Sequence, residues 1–428
     1  MAQLAKFDEK AIALFGCQQI AENVPVENTA PVGTITTTSG SAAVPGVGTA
    51  FLSQVALNSY LFDATGLKII GQVIAIASDT ALTLDAVVPA VAVAQASGVM
   101  AISAPVTGTA FQTGLGPKNA IAVLNLNFSV ETTTDVMQYV GDELDRDETT
   151  DITDLFAKFD FEARMPTRGT MAGSSPVESE IPLADWYQSC GMALILGVGY
   201  YSITNSIASN AYLTVDVRRS SPDLAVGVTQ KAYVLHNVRG GMDLDMVVGS
   251  KPKLKFNMLG NLSTIAQKLT LVPNFRNMKF DVSPAIKSST TILTEMDAYT
   301  SGAVPAITGV SNFCFQKINM VNMSGWSYTR YLLTCGDGWS KRADPTDVTV
   351  SILEDSAAAA LEPYSKLGTD YLLTIDYADK IVAPTVGKQI EVSMNKVKLA
   401  KVTQSKIATN TALDLNMRNI STTTIKFY

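Results

Sequence analysis

Apolar and polar residues alternate with period two along most of this chain, in segments rich in Val, Ile, Thr and Tyr. Half-buried antiparallel strands produce that pattern, because successive side chains point to opposite faces. In Tyr212-Leu213-Thr214-Val215-Asp216-Val217-Arg218, Leu213, Val215 and Val217 share one face, and Thr214, Asp216 and Arg218 the other. Helical periodicity is scarce. It predicts one short helix over 183–190 closed by Gly191, and another over 355–367 closed by Gly368. A glycine past the last turn takes the left-handed conformation cheaply. The expected fold class is mainly β: two duplicated sandwich or half-barrel domains with short helices, plus a small inserted β-barrel.

The insert is expected over 31–104, between Pro31 and Pro105, where charge almost disappears. Strand-like runs alternate there with turn signals such as Pro45-Gly46-Val47-Gly48 and Asp63-Ala64-Thr65-Gly66, about five strands in all. Gly46, Gly48 and Gly66 read as turn residues, since a phosphate-cradling loop needs a following helix.

Fragments recur along the chain in one order. Asn127-Phe128-Ser129 resembles Asn322-Met323-Ser324, and Gly141-Asp142 resembles Gly336-Asp337. Asp151-Ile152-Thr153-Asp154-Leu155 parallels Asp344-Pro345-Thr346-Asp347-Val348, and Cys190-Gly191 parallels Leu367-Gly368. Leu213-Thr214-Val215-Asp216 matches Leu373-Thr374-Ile375-Asp376, and Phe256-Asn257-Met258 matches Leu415-Asn416-Met417. The spacing shrinks in one direction only, as loop deletions in a second copy produce. The expected division is therefore an N-terminal strand or arm (1–30) joining the first copy, the insert (31–104), a first copy (105–275) and a second (276–428).

Composition narrows the function. Of 428 residues 17% are charged, and the net charge is −7, which disfavours wrapping nucleic acid, where Lys and Arg must replace phosphate counterions. The single histidine, His236, excludes multi-histidine metal sites and leaves histidine catalysis one candidate with no nucleophile near it in sequence. No enzyme activity, cofactor or metal is expected. Cys17, Cys190, Cys314 and Cys335 lie far apart and read as reduced, buried thiols. The charged first ten residues lack the apolar core of a signal peptide. The longest apolar run, 87–102, is interrupted and falls short of the ~20 residues of a membrane span. Synthesis in the cytosol without membrane insertion is the expectation.

The sharpest charge feature is Asp142-Glu143-Leu144-Asp145-Arg146-Asp147-Glu148, followed by Asp151 and Asp154. A calcium loop is one reading, but the spacing departs from the ligand pattern and lacks its sharp-turn glycine. A solvated hairpin loop is a second. The third is a contact between subunits, in which Asp142, Glu143, Asp145, Asp147 and Glu148 face lysines of a neighbouring copy. Lys251, Lys253 and Lys255 recur with period two and are candidate partners; Lys396 and Lys398 do the same. Solvated strand faces that discourage edge aggregation are the favoured reading of these lysines. Trp186, Trp326 and Trp339 read as core or interface anchors.

Three features together resemble the major tail tube proteins of long-tailed bacteriophages, in the variant whose tube domain is duplicated. They are the run from Glu131-Thr132-Thr133-Thr134-Asp135-Val136 to Asp151-Ile152-Thr153-Asp154, the short helix expected in both halves, and the inserted module with Gly48-Thr49-Ala50-Phe51-Leu52, Ile70-Gly71-Gln72-Val73 and Ser78-Asp79-Thr80-Ala81-Leu82-Thr83-Leu84. The resemblance implies a virion structural protein, made in the host cytoplasm and carried in the phage tail. Three subunits would form a ring of pseudo-sixfold symmetry, and rings would stack into a conduit for DNA ejection. Tape-measure protein and DNA would pass through the lumen without specific binding, and tail-tip and tail-terminator proteins would cap the ends. The long loops, including 131–154 and 324–347, would reach the adjacent ring, and the insert would decorate the outside. A baseplate hub or head–tail connector is the alternative within this class, and a β-rich carbohydrate-binding adhesin the alternative outside it.

Overall fold

The computed structural model describes residues 12–428 apart from 93–101, 141–145, 167–180, 207–210, 220–228, 248–249, 263–269, 274–303, 308–314, 329–338, 342–345, 354–369, 379–388, 408–409 and the positions 23, 25, 27–29, 66–67, 117–118, 122 and 182. Among the described residues the chain is mainly β, with two short helices, as the alternating pattern predicts.

Strand β1 (Ile12–Gln18) leads into a small barrel. Its strands are β2 (Thr34–Ile35), β3 (Ala43–Val47), β4 (Tyr60–Asp63), β5 (Ile69–Ser78), β6 (Ala81–Leu84) and β7 (Phe111–Gly114), with helix α1 (Phe51–Gln54) after β3. They pair in the order β2-β3-β6-β5-β4-β7, and a bridge between Ile35 and Thr109 brings the two ends of that order together. Ile35, Val44, Phe51, Leu61, Val73, Leu82, Leu84 and Phe111 fill the interior. The barrel draws in Phe111–Gly114, beyond the boundary at 104 that charge suggested, because closing the cylinder takes one more strand. Gly46 lies inside β3 and not in a turn; a side chain there would run into Thr49 and Phe51.

The main body begins with β8 (Ala120–Ile121), β9 (Leu124–Val140) and β10 (Arg146–Arg164). Helix α2 (Ala184–Ser189) follows, then β11 (Met192–Gly197), β12 (Tyr200–Asn205), β13 (Leu213–Arg219), β14 (Thr229–Val247), β15 (Lys253–Leu262) and β16 (Thr270–Pro273). The second half supplies β17 (Val304–Ile307), β18 (Phe315–Tyr328), β19 (Trp339–Lys341) and β20 (Thr346–Leu353). It ends with β21 (Asp370–Ala378), β22 (Gln389–Ile407), β23 (Asn410–Asn419) and β24 (Thr423–Phe427). Helix α2 forms where periodicity placed it, and Gly191 past its end has φ +77°. The helix expected over 355–367 lies outside the described residues, as do Gly141-Asp142, Gly336-Asp337 and Leu367-Gly368.

One antiparallel pairing order occurs twice. It runs β9-β10-β15-β14-β13 in the first half and β18-β20-β23-β22-β21 in the second. A further strand flanks the fifth in each, β1 on β13 and β17 on β21, and β16 pairs with β14 as β24 does with β22. The fragments at Phe256 and Leu415 sit in corresponding strands, as do those at Leu213 and Leu373, although the register shifts in β13 and β21 make Leu373 the counterpart of Val215. Two other sequence matches are corrected by the register. Met258 lies opposite Phe159, which lies opposite Phe128; Met417 lies opposite Val348, which lies opposite Met320. Phe128 thus corresponds to Met320 and not to Met323. By the same path Asp347 corresponds to Lys158 and not to Asp154. Short polar triplets recur along strands, so local similarity alone slips along the ladder.

Strands β14 and β22, 19 residues each, both change partners midway. Their N-terminal parts pair with β13 and β21, and their C-terminal parts with β15 and β23. Register shifts between His236 and Arg239, and between Leu399 and Lys401, mark the changeover, as bulges do where a strand bends between two sheets. The core lies against α2: Phe161 stacks on Phe256 at 4.9 Å and meets the edge of Trp186 at 5.1 Å. Gly16 of β1 crosses the Trp186 indole so closely that a Cβ there would stand 2.4 Å from the ring.

Candidate assembly edges and polar face

The two halves meet through a strand pairing. β14 receives β18 with Leu244 opposite Met320, Asp245 opposite Asn319, Met246 opposite Ile318 and Val247 opposite Lys317. This seam makes one eight-stranded sheet, β9-β10-β15-β14-β18-β20-β23-β22. Among the described residues no strand pairs with the outer side of β9 or of residues 399–407 of β22. In the repeated order β9 corresponds to β18, and β22 to β14. The sheet therefore ends on the counterparts of the two strands that join at its centre.

The seam is dry on its core side, where Leu244, Met246, Ile318 and Met320 are buried. Arg239, 1% exposed, lies with its guanidinium 3.6 Å from the Tyr212 ring and 4.2 Å from that of Trp326, and its Nε donates to the Ala211 carbonyl. Lys341 of β19 reaches across to the end of α2, donating to the Gly191 carbonyl (2.6 Å) and to Ser324 Oγ (3.1 Å). Burial lowers its ammonium to about 8, an effect the nearby Cys190 opposes and Arg239 reinforces. Burial pushes the Cys190 thiol up to about 12, so it is an inert core group. These contacts tie the second half to the first.

The sheet's other face is a polar ladder. Asn127 Nδ2 donates to Asp160 Oδ2 (2.8 Å), and Asn125 Nδ2 to Glu162 Oε2 (3.3 Å). Lys158 pairs with Glu131 at 2.8 Å, Lys253 with Glu162 at 3.0 Å and Lys255 with Asp245 at 3.3 Å, while Lys317 lies 3.9 Å from the same aspartate. Beyond the seam, Arg418 lies 3.3 Å from Asp347, Thr349 Oγ1 donates to Asn416 Oδ1 (3.2 Å) and Ser351 Oγ to Asp414. Exposed pairs of this kind add at most ~1 kcal/mol each to stability. Their larger effect is electrostatic: each of these cations sits beside a carboxylate.

Of the candidate contact residues, Asp142, Glu143 and Asp145 lie outside the described residues. Asp147 and Glu148 open β10, opposite Tyr139 and Gln138. Lys251 precedes β15, and Lys253 and Lys255 lie within it, half-buried. Within one chain Asp147 and Glu148 are far from these lysines along β10, since Lys253 lies opposite Arg164 at its other end. Among the described residues, 146–155 of β10 pair with β9 alone, so these strands run on past their pairing with β15. His236 sits at the β14 bulge opposite Asn261. Trp186 is a core anchor and Trp326 part of the seam's buttress; Trp339 lies 5.2 Å from Tyr328 beside a cleft of about 460 Å³ that Phe156 and Lys158 also line. Among the described residues no group of three or more His, Cys, Asp or Glu is placed to hold a metal, and no helix is long and apolar enough to cross a membrane.

Sequence reasoning singled out the lysines but missed their partners Glu162 and Asp245, and with them the ladder. The available signal was the polar residue at every second strand position, read as mere solvent exposure. This chain matches no protein-family model and no curated protein.

Proposed function

We propose that this chain is a structural subunit that closes with copies of itself into rings, stacked as the tail tube of a long-tailed bacteriophage. The observation that carries this reading is the eight-stranded sheet whose two outer strands are the counterparts of its own central pair. A repeat that joins itself once inside a chain has the complementary edges to join the next chain, and a repeat joined through a constant rotation closes into a ring when that rotation divides a full turn. Closure also pairs edge strands that would otherwise template aggregation. With two repeats per chain, three chains give six units.

The polar ladder suits the wall of a DNA conduit. Phosphates bind where they release counterions from unpaired Lys and Arg, and here the cations already face carboxylates, so the polyanion would slide. The β9–β10 hairpin and the Lys251–Lys255 row lie at opposite ends of one strand, which suits a head-to-tail contact: the acids of 142–148 in one ring against the lysines of the next. Such a contact does not close on itself, and it generates a filament. The barrel between β1 and β8 lies outside the eight-stranded sheet and would decorate the wall. Electron microscopy of the purified full chain tests the reading. Hollow rods are the expected result; a dispersed monomer at high concentration contradicts it.

A further inference from the structure

The contact inside one chain specifies the register of the contact between chains. We propose that residues 404–407 of β22 in one copy pair antiparallel with residues 125–128 of β9 in a second copy, with Gln404 opposite Phe128. This rests on the self-assembly reading above and names the partner surface of that assembly residue by residue.

The register follows from cross-strand neighbours. Leu254 lies opposite Leu244 in the first half, and Leu413 opposite Gln404 in the second. Since β15 and β23 correspond with Phe256 at Leu415, Leu254 matches Leu413, and Gln404 takes the place of Leu244. On the other side, the path through Phe159 and Val348 puts Phe128 in the place of Met320. The internal seam sets Leu244 against Met320. Transferring it gives Gln404 against Phe128, Ser405 against Asn127, Lys406 against Leu126 and Ile407 against Asn125.

The residues at these edges suit a surface that is exposed before assembly and covered after it. Gln404 and Lys406 are exposed at positions where the seam has the buried Leu244 and Met246. A polar and a charged side chain pointing toward the core layer from an edge strand deter pairing with strangers. Phe128 and Leu126 on the opposing edge are half-buried, with Phe128 5.0 Å from the Tyr233 ring. Their flat apolar surfaces can cover the aliphatic stems of Gln404 and Lys406 while the ammonium stays in water. On the polar face, Ser405 meets Asn127 where the seam holds Asp245 near Lys317. The junction between copies is thus held by neutral hydrogen bonds in place of an ion pair.

Cysteine cross-linking in the full chain tests the register. Directly opposed residues of an antiparallel pair have Cα atoms ~4.5–5.5 Å apart, inside disulfide range. A variant with Asn127→Cys and Ser405→Cys, assembled reduced and then mildly oxidised, should give a ladder of linked chains on a non-reducing gel. The yield should exceed by about tenfold that of the shifted pair Ser129→Cys with Ser405→Cys, whose Cα atoms are too far apart for ready closure. Leu126→Cys with Lys406→Cys is the second pair, should the first disturb assembly. Rods without a ladder from either opposed pair, or with an equal ladder from the shifted pair, overturn the register and leave the tube reading standing. A wild-type chain that stays monomeric overturns both.

Discussion

Asp245 shows how single residues set the character of the polar face. Its carboxylate lies between Lys255 at 3.3 Å and Lys317 at 3.9 Å, one from each half of the chain. Converting Glu162 and Asp245 to their amides should leave the fold intact while uncovering Lys253, Lys255 and Lys317. The variant should then be retained on immobilised DNA at ~0.1 M salt and released as salt rises, with about one unit of log–log salt slope per new phosphate contact. The wild-type chain should flow through; equal retention of the two proteins would contradict neutralisation as the ladder's role. Lys341 makes a separate prediction. Burial lowers it to about 8 from an ordinary value of 10.5, so between those values the unfolded chain holds the extra proton and folding stability rises with pH. Buried Cys190, raised to about 12, acts in the opposite sense above pH 9. Comparison with Lys341→Met isolates the lysine: the denaturation midpoint of the wild type should gain on the variant's as pH climbs from 8 to 10. A constant difference would mean that Lys341 is not desolvated when folded. At this scale the sequence was partly legible. Period two put Lys253 and Lys255 on one face, but Glu162 and Asp245 belong to other strands, and only pairing brings them alongside.

At the scale of elements, strand existence was legible and strand pairing was not. Alternation located the strand Leu213–Arg219, and the glycine stop located the end of α2. The same alternation permits any even shift along a ladder, which is why Asp347 matches Asp154 in sequence when its counterpart, four residues on, is Lys158. The barrel's last strand, Phe111–Gly114, escaped because four residues past a charge-poor segment carry little signal of their own. The mid-strand bulges of β14 and β22 were also invisible: a register shift is a property of two strands together. The β9–β10 hairpin carries the prediction that belongs here. Reversing Asp142, Glu143, Asp145 and Asp147 to lysine should shorten or abolish rods in electron micrographs while far-ultraviolet circular dichroism stays unchanged. Among the described residues, 146–155 of β10 pair only with β9, so the sheet has little to lose. Rods of normal length would remove the hairpin from the stacking contact.

For the whole molecule, the central claim is that one strand order, used twice, builds a wall. The recurring fragments are what the sequence offers toward a repeat, whereas the β14–β18 seam leaves no trace there, because neither strand carries a motif for its partner. Burial differs sharply between the sheet's two faces, with Phe159, Phe161 and Phe256 packed on Trp186 on one side and the ladder on the other. That asymmetry gives the sheet a defined inside and outside once it curls. The most direct measurement is a helical reconstruction of the assembled rods by electron cryomicroscopy. The account predicts rings of three chains, six matching four-stranded units around the bore, and the face bearing Asp160, Asp245 and Asp414 turned toward the lumen. Six chains per ring, or that face turned outward, would contradict it.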